Sequence, residues 1–214
     1  MKILPSTISL INLINHGFKY VIQTSKTYNI DESHALKHSM EVLHFANKIY
    51  DSELIINPYI EKQKDIIFVS SILHDMCDKK YMNEQFGVNE MRNFMKDYVE
   101  LDKLDVISDI ISTMSYSKVI KHGYPELKEY QLAYHIVREA DLLAAYDLDR
   151  CIIYQMMHDK YSYCESLPIA VSLFHKRVLR YIEDDLFITE YSKKKAAELH
   201  VKALEDIEKI KLIY

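Results

Sequence analysis

Glycine and proline are scarce in this chain, which has three glycines and four prolines among its 214 residues. These two residues form most of the tight turns that connect β-strands, and glycine-rich loops bind phosphates in many nucleotide-binding folds. A chain with so few of them is suited to long helices joined by short polar turns. We therefore predict an all-α fold that lacks a glycine-rich phosphate loop.

The chain is long enough for one complete hydrophobic core. Its apolar fraction of 49% and charged fraction of 28% are typical of a globular protein. We see no linker, internal repeat or low-complexity segment. The sequence therefore predicts a single helical domain over residues 1–214.

Apolar residues at helical spacing indicate where the helices lie. We predict helices at 6–28, 31–50, 61–77, 88–100, 102–115 and 127–159, one with Pro168 in its first turn, and a last one capped by Ser192. The dense apolar run at 66–69 would also suit a buried strand. The absence of other strand-like segments favours a buried helix.

The net charge limits which partners the protein can attract, and the cysteine content indicates its cellular compartment. The net charge of −5 gives no general attraction to nucleic-acid polymers or anionic membranes. The three cysteines include no CxxC pair, which is typical of a reducing compartment. No apolar run approaches the roughly 18 residues of a membrane span, and we find no signal peptide. We expect a cytoplasmic protein, and its oligomeric state stays open.

Three polar features interrupt apolar helical segments. His74 and Asp75 end a long apolar run, His38 lies among apolar residues, and Asp141 precedes Leu-Leu-Ala-Ala in mid-helix. Each has an ordinary explanation: a helix end in solvent, a core histidine bonded to a carbonyl, or a structural carboxylate. Together they supply two imidazoles and two carboxylates. That set suits a divalent cation with positions left for water and a phosphate oxygen.

The order H…HD…D resembles the HD superfamily of metal-dependent phosphohydrolases. The resemblance covers about residues 30–150 and rests on the contexts His38-Ser39-x-x-Val42, Ile72-Leu73-His74-Asp75 and Ala140-Asp141-Leu142-Leu143. It implies a single-domain HD-type helical bundle that the C-terminal helices complete. It also implies one divalent metal held by His38, His74, Asp75 and Asp141, without distinguishing Mn, Mg, Fe, Ni and Zn.

A closer likeness exists to the branch of small stand-alone HD hydrolases, some of which are nucleotide pyrophosphohydrolases. It rests on His74-Asp75-x-x-Asp78-x-Lys80-Tyr81, Ser115-Tyr116-Ser117-Lys118 and Ala140-Asp141. It implies that Asp78 lies near the metal's water and that Lys80 and Lys118 lie near phosphate. The chain has Met114-Ser115 where the branch often has a histidine. Between His74 and Asp141, His122 and His135 are the candidates for holding a second metal, and neither fits well, so we expect one metal.

These features predict a metal-dependent phosphohydrolase whose substrate is a small phosphorylated molecule, with nucleotides favoured. Phosphomonoester, pyrophosphate and cyclic phosphodiester substrates stay open. Asp78 or Glu139 would orient or deprotonate the attacking water, and Asp78 is the better candidate because Glu139 points away from Asp141 on an ideal helix. The alternatives are a catalytically silent HD-fold module for nucleotide sensing or protein interaction, and an unrelated helical protein that binds partners through residues 192–212.

Overall fold

Ten α-helices and no strand occur between residues 9 and 212, the part of the chain that the computed structural model describes. The helices are α1 Leu10–Tyr28, α2 Leu36–Ile56, α3 Lys64–Leu73, α4 Glu84–Met95, α5 Leu101–Thr113, α6 Tyr116–His122, α7 Gln131–Ala144, α8 Leu148–Met157, α9 Tyr163–Lys176 and α10 Glu190–Lys211. Short 3₁₀ segments lie at Pro58–Gln63, Lys128–Tyr130 and Val178–Arg180. The all-α prediction is confirmed. Within these residues, no helix has both the length and the apolar character needed to cross a membrane.

Helix α3 forms the centre of the molecule. All eight residues from Ile66 to Leu73 are buried, and α1, α2, α5 and α7 pack around them. A helix that is apolar on every side is stable only in such a position. The helix is shorter than the predicted 61–77, because it ends at Leu73 and turns follow. His74, the first residue after this buried helix, therefore lies inside the molecule.

The predicted helix at 127–159 is wrong as a single element. Helix α7 ends at Ala144, and α8 begins at Leu148 after a short turn. Asp147 caps the second helix, since its side chain accepts a hydrogen bond from the backbone N–H of Asp149. The chain changes direction at this turn, which continuous apolar spacing does not reveal.

Two predicted helix starts are also wrong. Helix α9 begins well before Pro168, which lies inside it, because Ser162 and Glu165 form a capping box at its N-terminus. The N-cap of α10 is Thr189 rather than Ser192: the Thr189 side chain accepts from the backbone N–H of Ser192. The first helix, predicted to start at residue 6, is described from Leu10 onward, and residues 6–8 lie outside the described range.

A buried ion pair anchors the last helix to the core. Glu139 and Arg138 are both almost fully buried on α7. The Glu139 carboxylate accepts hydrogen bonds from the backbone N–H groups of Ile188 (2.7 Å) and Thr189 (3.2 Å) and from the Thr189 hydroxyl (2.7 Å). Arg138 donates to the carbonyl of Leu186 at 2.6 Å. These bonds fix the segment that leads into α10.

We predict that Glu139→Ala lowers the free energy of unfolding by about 3–5 kcal/mol, because it leaves Arg138 buried without a counterion and frees the start of α10. Urea unfolding followed by circular dichroism measures the change. The control is Glu205→Ala, which removes an exposed carboxylate from α10 and should change stability by less than about 0.5 kcal/mol. Equal midpoints for the two variants would contradict the anchoring role.

Candidate metal centre and its cavity

Three helices bring the predicted metal ligands into one place. His38 lies in the first turn of α2, His74 and Asp75 directly follow α3, and Asp141 lies near the end of α7. Helices α2, α3 and α7 pack against one another in the core. Their packing determines where these side chains meet, so the site is part of the hydrophobic core rather than a loop.

The two imidazoles lie side by side, and both carboxylates contact them. The Nε2 atoms of His38 and His74 are 3.0 Å apart. The Oδ2 atom of Asp75 lies 3.3 Å from each Nε2, and the Oδ1 atom of Asp141 lies 3.4 and 3.5 Å from them. Donor atoms about 2.1 Å from a shared ion, at angles of 90–110°, lie about 3.0–3.4 Å apart. The group His38, His74 and Asp141 is close enough to hold a metal ion.

Hydrogen bonding prepares His74 for ligation. Its Nδ1 lies 2.9 Å from the carbonyl oxygen of Ser71, and a carbonyl can only accept. Nδ1 therefore carries the proton, and Nε2 of the neutral ring presents a lone pair to the centre. Metal-binding histidines in proteins commonly have their second nitrogen held in this way.

His38, His74, Asp75 and Asp141 form a cluster whose two carboxylates stabilise a positive charge beside them. Burial opposes a charge on His74, but Asp75 and Asp141 outweigh burial and raise its pKa to about 10. Burial likewise opposes charge on the two carboxyl groups, yet the neighbouring imidazoles hold the pKa values of Asp75 and Asp141 well below the usual range. Two ionised carboxylates at this depth require a cation beside them, either a proton on histidine or a metal ion.

A cavity of about 360 Å³ opens beside the cluster, and His74, Asp75 and Asp141 form part of its wall. This volume lies within the range of sites that bind small molecules. The residues between α3 and α4, the start of α6, and helices α8 and α9 supply the other walls. The fold thus places the candidate ligands where a small molecule reaches them.

Asp78 and Lys80, both predicted to act in catalysis, line this cavity. The Lys80 ammonium lies 3.2 Å from the Asp78 carboxylate and 3.0 Å from Nε2 of His34. The backbone N–H of Lys80 also donates to Asp78 at 2.9 Å. The pair is therefore held as a unit in the turn that follows the metal-ligand candidates.

Lys118, the third predicted catalytic residue, also lines the cavity, but its charge is already balanced. Its ammonium forms an ion pair with Glu84 and donates to the carbonyl of Ser112 at 2.6 Å. Binding a phosphate there competes with Glu84. The structure thus brings Lys118 to the predicted cavity and gives it a carboxylate partner that the sequence did not reveal.

The remaining candidates lie away from the cavity. The Glu139 carboxylate is occupied by the segment before α10, so it does not serve an attacking water. His122 is exposed, and His135 packs against Tyr124 and lies near Gln131. Burial lowers the pKa of His135 to about 4, which keeps its ring neutral. Neither histidine lines the cavity.

Sequence reasoning missed His34 and Arg150 at the site. His34 precedes His38 by about one helical turn and lines the cavity. The Arg150 guanidinium lies 3.2 Å from the Asp75 carboxylate and 3.7 Å from that of Asp141. The spacing of about one helical turn between His34 and His38 could have indicated His34 from the sequence. Nothing in the sequence indicated Arg150, because it reaches the cluster only through the turn between α7 and α8.

Comparison with known proteins supports the fold. No family model and no curated protein matches this chain. Among solved structures, it is similar to the crystal structure of a Lactobacillus plantarum protein from a structural genomics programme. The TM-score is 0.71 at 18% sequence identity, over 94% of this chain and 96% of that one. A likeness at this identity establishes a shared fold and says nothing about activity.

Proposed function

We propose that this protein is a metal-dependent phosphohydrolase of the HD type. One divalent ion, held by His38, His74, Asp75 and Asp141, would serve the hydrolysis of a small phosphorylated molecule, with nucleotides as the favoured class. The observation that carries the proposal is that each of the two imidazoles lies 3.0–3.5 Å from the other and from both carboxylates, and that His74, Asp75 and Asp141 line a cavity. The resemblance of the H…HD…D pattern to HD hydrolases supports the same conclusion.

The donor set fits a divalent cation. Two neutral imidazole nitrogens and two carboxylate oxygens suit Mn, Fe, Ni or Zn well, and such a set leaves positions free for other ligands. When bound, the ion supplies a water that ionises near neutral pH and a positive charge beside a phosphoryl oxygen. The bond from Nδ1 of His74 to the carbonyl of Ser71 selects the tautomer whose Nε2 faces the ion, and the ion would take the place of any proton on Nε2.

Other side chains of the cavity have distinct roles in this proposal. Asp78 accepts a proton from the attacking water or orients it, because its carboxylate faces the same cavity as the cluster. Lys80 balances charge on the non-bridging phosphate oxygens. Arg150 bridges Asp75 and Asp141, and so orients both carboxylates.

We predict that the wild-type protein binds about one Mn²⁺ per chain and that His38→Ala weakens this binding by at least about tenfold, because an imidazole ligand is lost. Isothermal titration calorimetry on chelator-treated protein measures both values. His44→Ala is the matched control, since His44 is an exposed histidine on the same helix. Unchanged Mn²⁺ binding in His38→Ala would contradict the site.

We predict that Mn²⁺- or Mg²⁺-loaded protein releases phosphate or pyrophosphate from at least one nucleotide, and that Asp75→Asn lowers kcat/KM by at least about a hundredfold. The variant keeps the size of the side chain and removes its charge. A screen of nucleoside mono-, di- and triphosphates provides the measurement, with Asp97→Asn, an exposed position, as control.

Two results would contradict the hydrolase proposal. Undiminished turnover in Asp75→Asn would show that the activity does not use the cluster. Nucleotide binding without turnover of any nucleotide in the screen would favour the catalytically silent module.

A further inference from the structure

Five lysine and arginine side chains line the cavity, and they differ in how their charges are balanced. Three have carboxylate partners: Lys80 with Asp78, Lys118 with Glu84, and Arg150 with Asp75. Lys79 is exposed, so water solvates its charge. Arg177 is partly buried and, among the described residues, forms no ion pair with a carboxylate. It is the member of this set that no carboxylate of the described residues contacts directly; burial opposes its charge, but Tyr181 and the Asp141 carboxylate, which lies beyond ion-pair distance, outweigh burial and raise its pKa.

Aromatic residues hold the Arg177 guanidinium in place. Its Cζ lies 4.7 Å from the centroid of the Tyr116 ring, a cation–π contact. Its Nε donates to the Tyr181 hydroxyl at 3.1 Å. The side chain comes from the residue that ends α9, where the negative end of the helix dipole favours a cation. The guanidinium is therefore oriented before any ligand binds.

The two terminal amino groups of Arg177 remain available. Within residues 9–212, no carboxylate or carbonyl accepts a hydrogen bond from them. A bound anion would supply the acceptor that these groups lack among the described residues. A planar guanidinium with two free amino groups matches two oxygens of one phosphate group.

Tyr181 adds a second donor at the same place. This fully buried tyrosine lines the cavity and accepts the bond from Arg177. Its hydroxyl donates to no described residue, so its proton is available to an anion beside Arg177. The wall formed by α9 and the segment after it thus offers two donors, Arg177 and Tyr181, to an anion in the cavity.

We propose that Arg177 is a phosphate-binding residue of this cavity and that Tyr116 and Tyr181 are the positioning residues that hold its guanidinium. The two terminal amino groups would bind oxygens of a phosphate group on the substrate, in the same cavity as the metal-ligand cluster. The identification of this anion as part of a substrate rests on the proposed hydrolase function. The anion site itself does not depend on turnover.

The test measures binding of inorganic phosphate to Mn²⁺-loaded protein by isothermal titration calorimetry. Arg177→Met should weaken phosphate binding by about ten- to a hundredfold, because hydrogen bonds to a charged group are lost. Arg177→Lys keeps the charge but loses the planar fork, and should give an intermediate loss. Lys176→Met, which removes an exposed charge from the adjacent residue, should change the affinity by less than about twofold.

Mn²⁺ affinity and thermal midpoint are measured on the same samples. A specific anion-binding role predicts that Arg177→Met keeps wild-type Mn²⁺ affinity while phosphate binding falls. If Arg177→Met fails to fold, Arg177→Lys and Tyr116→Leu are used instead. Tyr116→Phe, which keeps the aromatic ring, is their control, and both variants should bind phosphate more weakly than it does. Phosphate binding at wild-type strength in the folded Arg177 variants would overturn the proposal.

The two proposals fail in different ways. If no nucleotide is hydrolysed but Arg177→Met still loses phosphate binding, the hydrolase proposal is wrong and the anion site stands. If the wild-type protein hydrolyses a nucleotide and Arg177→Met retains both its KM and its phosphate affinity, the hydrolase proposal stands and the role of Arg177 is wrong.

Discussion

The contact between two imidazoles and two carboxylates inside the bundle is the interaction on which the rest of the structure depends. Carboxylates at this depth cost several kcal/mol each unless a cation balances them. His38, His74 and Asp141 lie close enough to share one cation, Asp75 contacts both imidazoles, and Arg150 contacts both carboxylates. We infer that a divalent ion takes over most of this balancing role.

The helices are arranged around that centre. The buried helix α3 carries His74 and Asp75 into the interior, while α2 and α7 bring His38 and Asp141 to the same point. Helices α8 and α9 then close the cavity and contribute arginines to its wall. The Glu139 network attaches the last helix at a distance from this chemistry. In this account, Glu139 serves stability and Asp141 serves the site, although they are neighbours on α7.

The sequence was sufficient for the fold class and for much of the cluster. Few turn-forming residues predicted helices, and polar residues inside apolar runs marked His38, His74 and Asp141, because such residues are costly in a core without partners. It was not sufficient for the partner of Lys118 or for the positions of Arg150 and Arg177. Those depend on the turn between α7 and α8 and on how α9 packs, and local spacing does not encode either. The starts of α9 and α10 were also missed, because these helices begin at the N-caps Ser162 and Thr189.

A crystal structure of the Mn²⁺-loaded protein, with anomalous diffraction data, tests the central claim most directly. We expect a single strong anomalous peak about 2.0–2.3 Å from the Nε2 atoms of His38 and His74 and from carboxylate oxygens of Asp75 and Asp141. A peak located elsewhere, or a structure in which these four side chains surround no ion at saturating Mn²⁺, would contradict it.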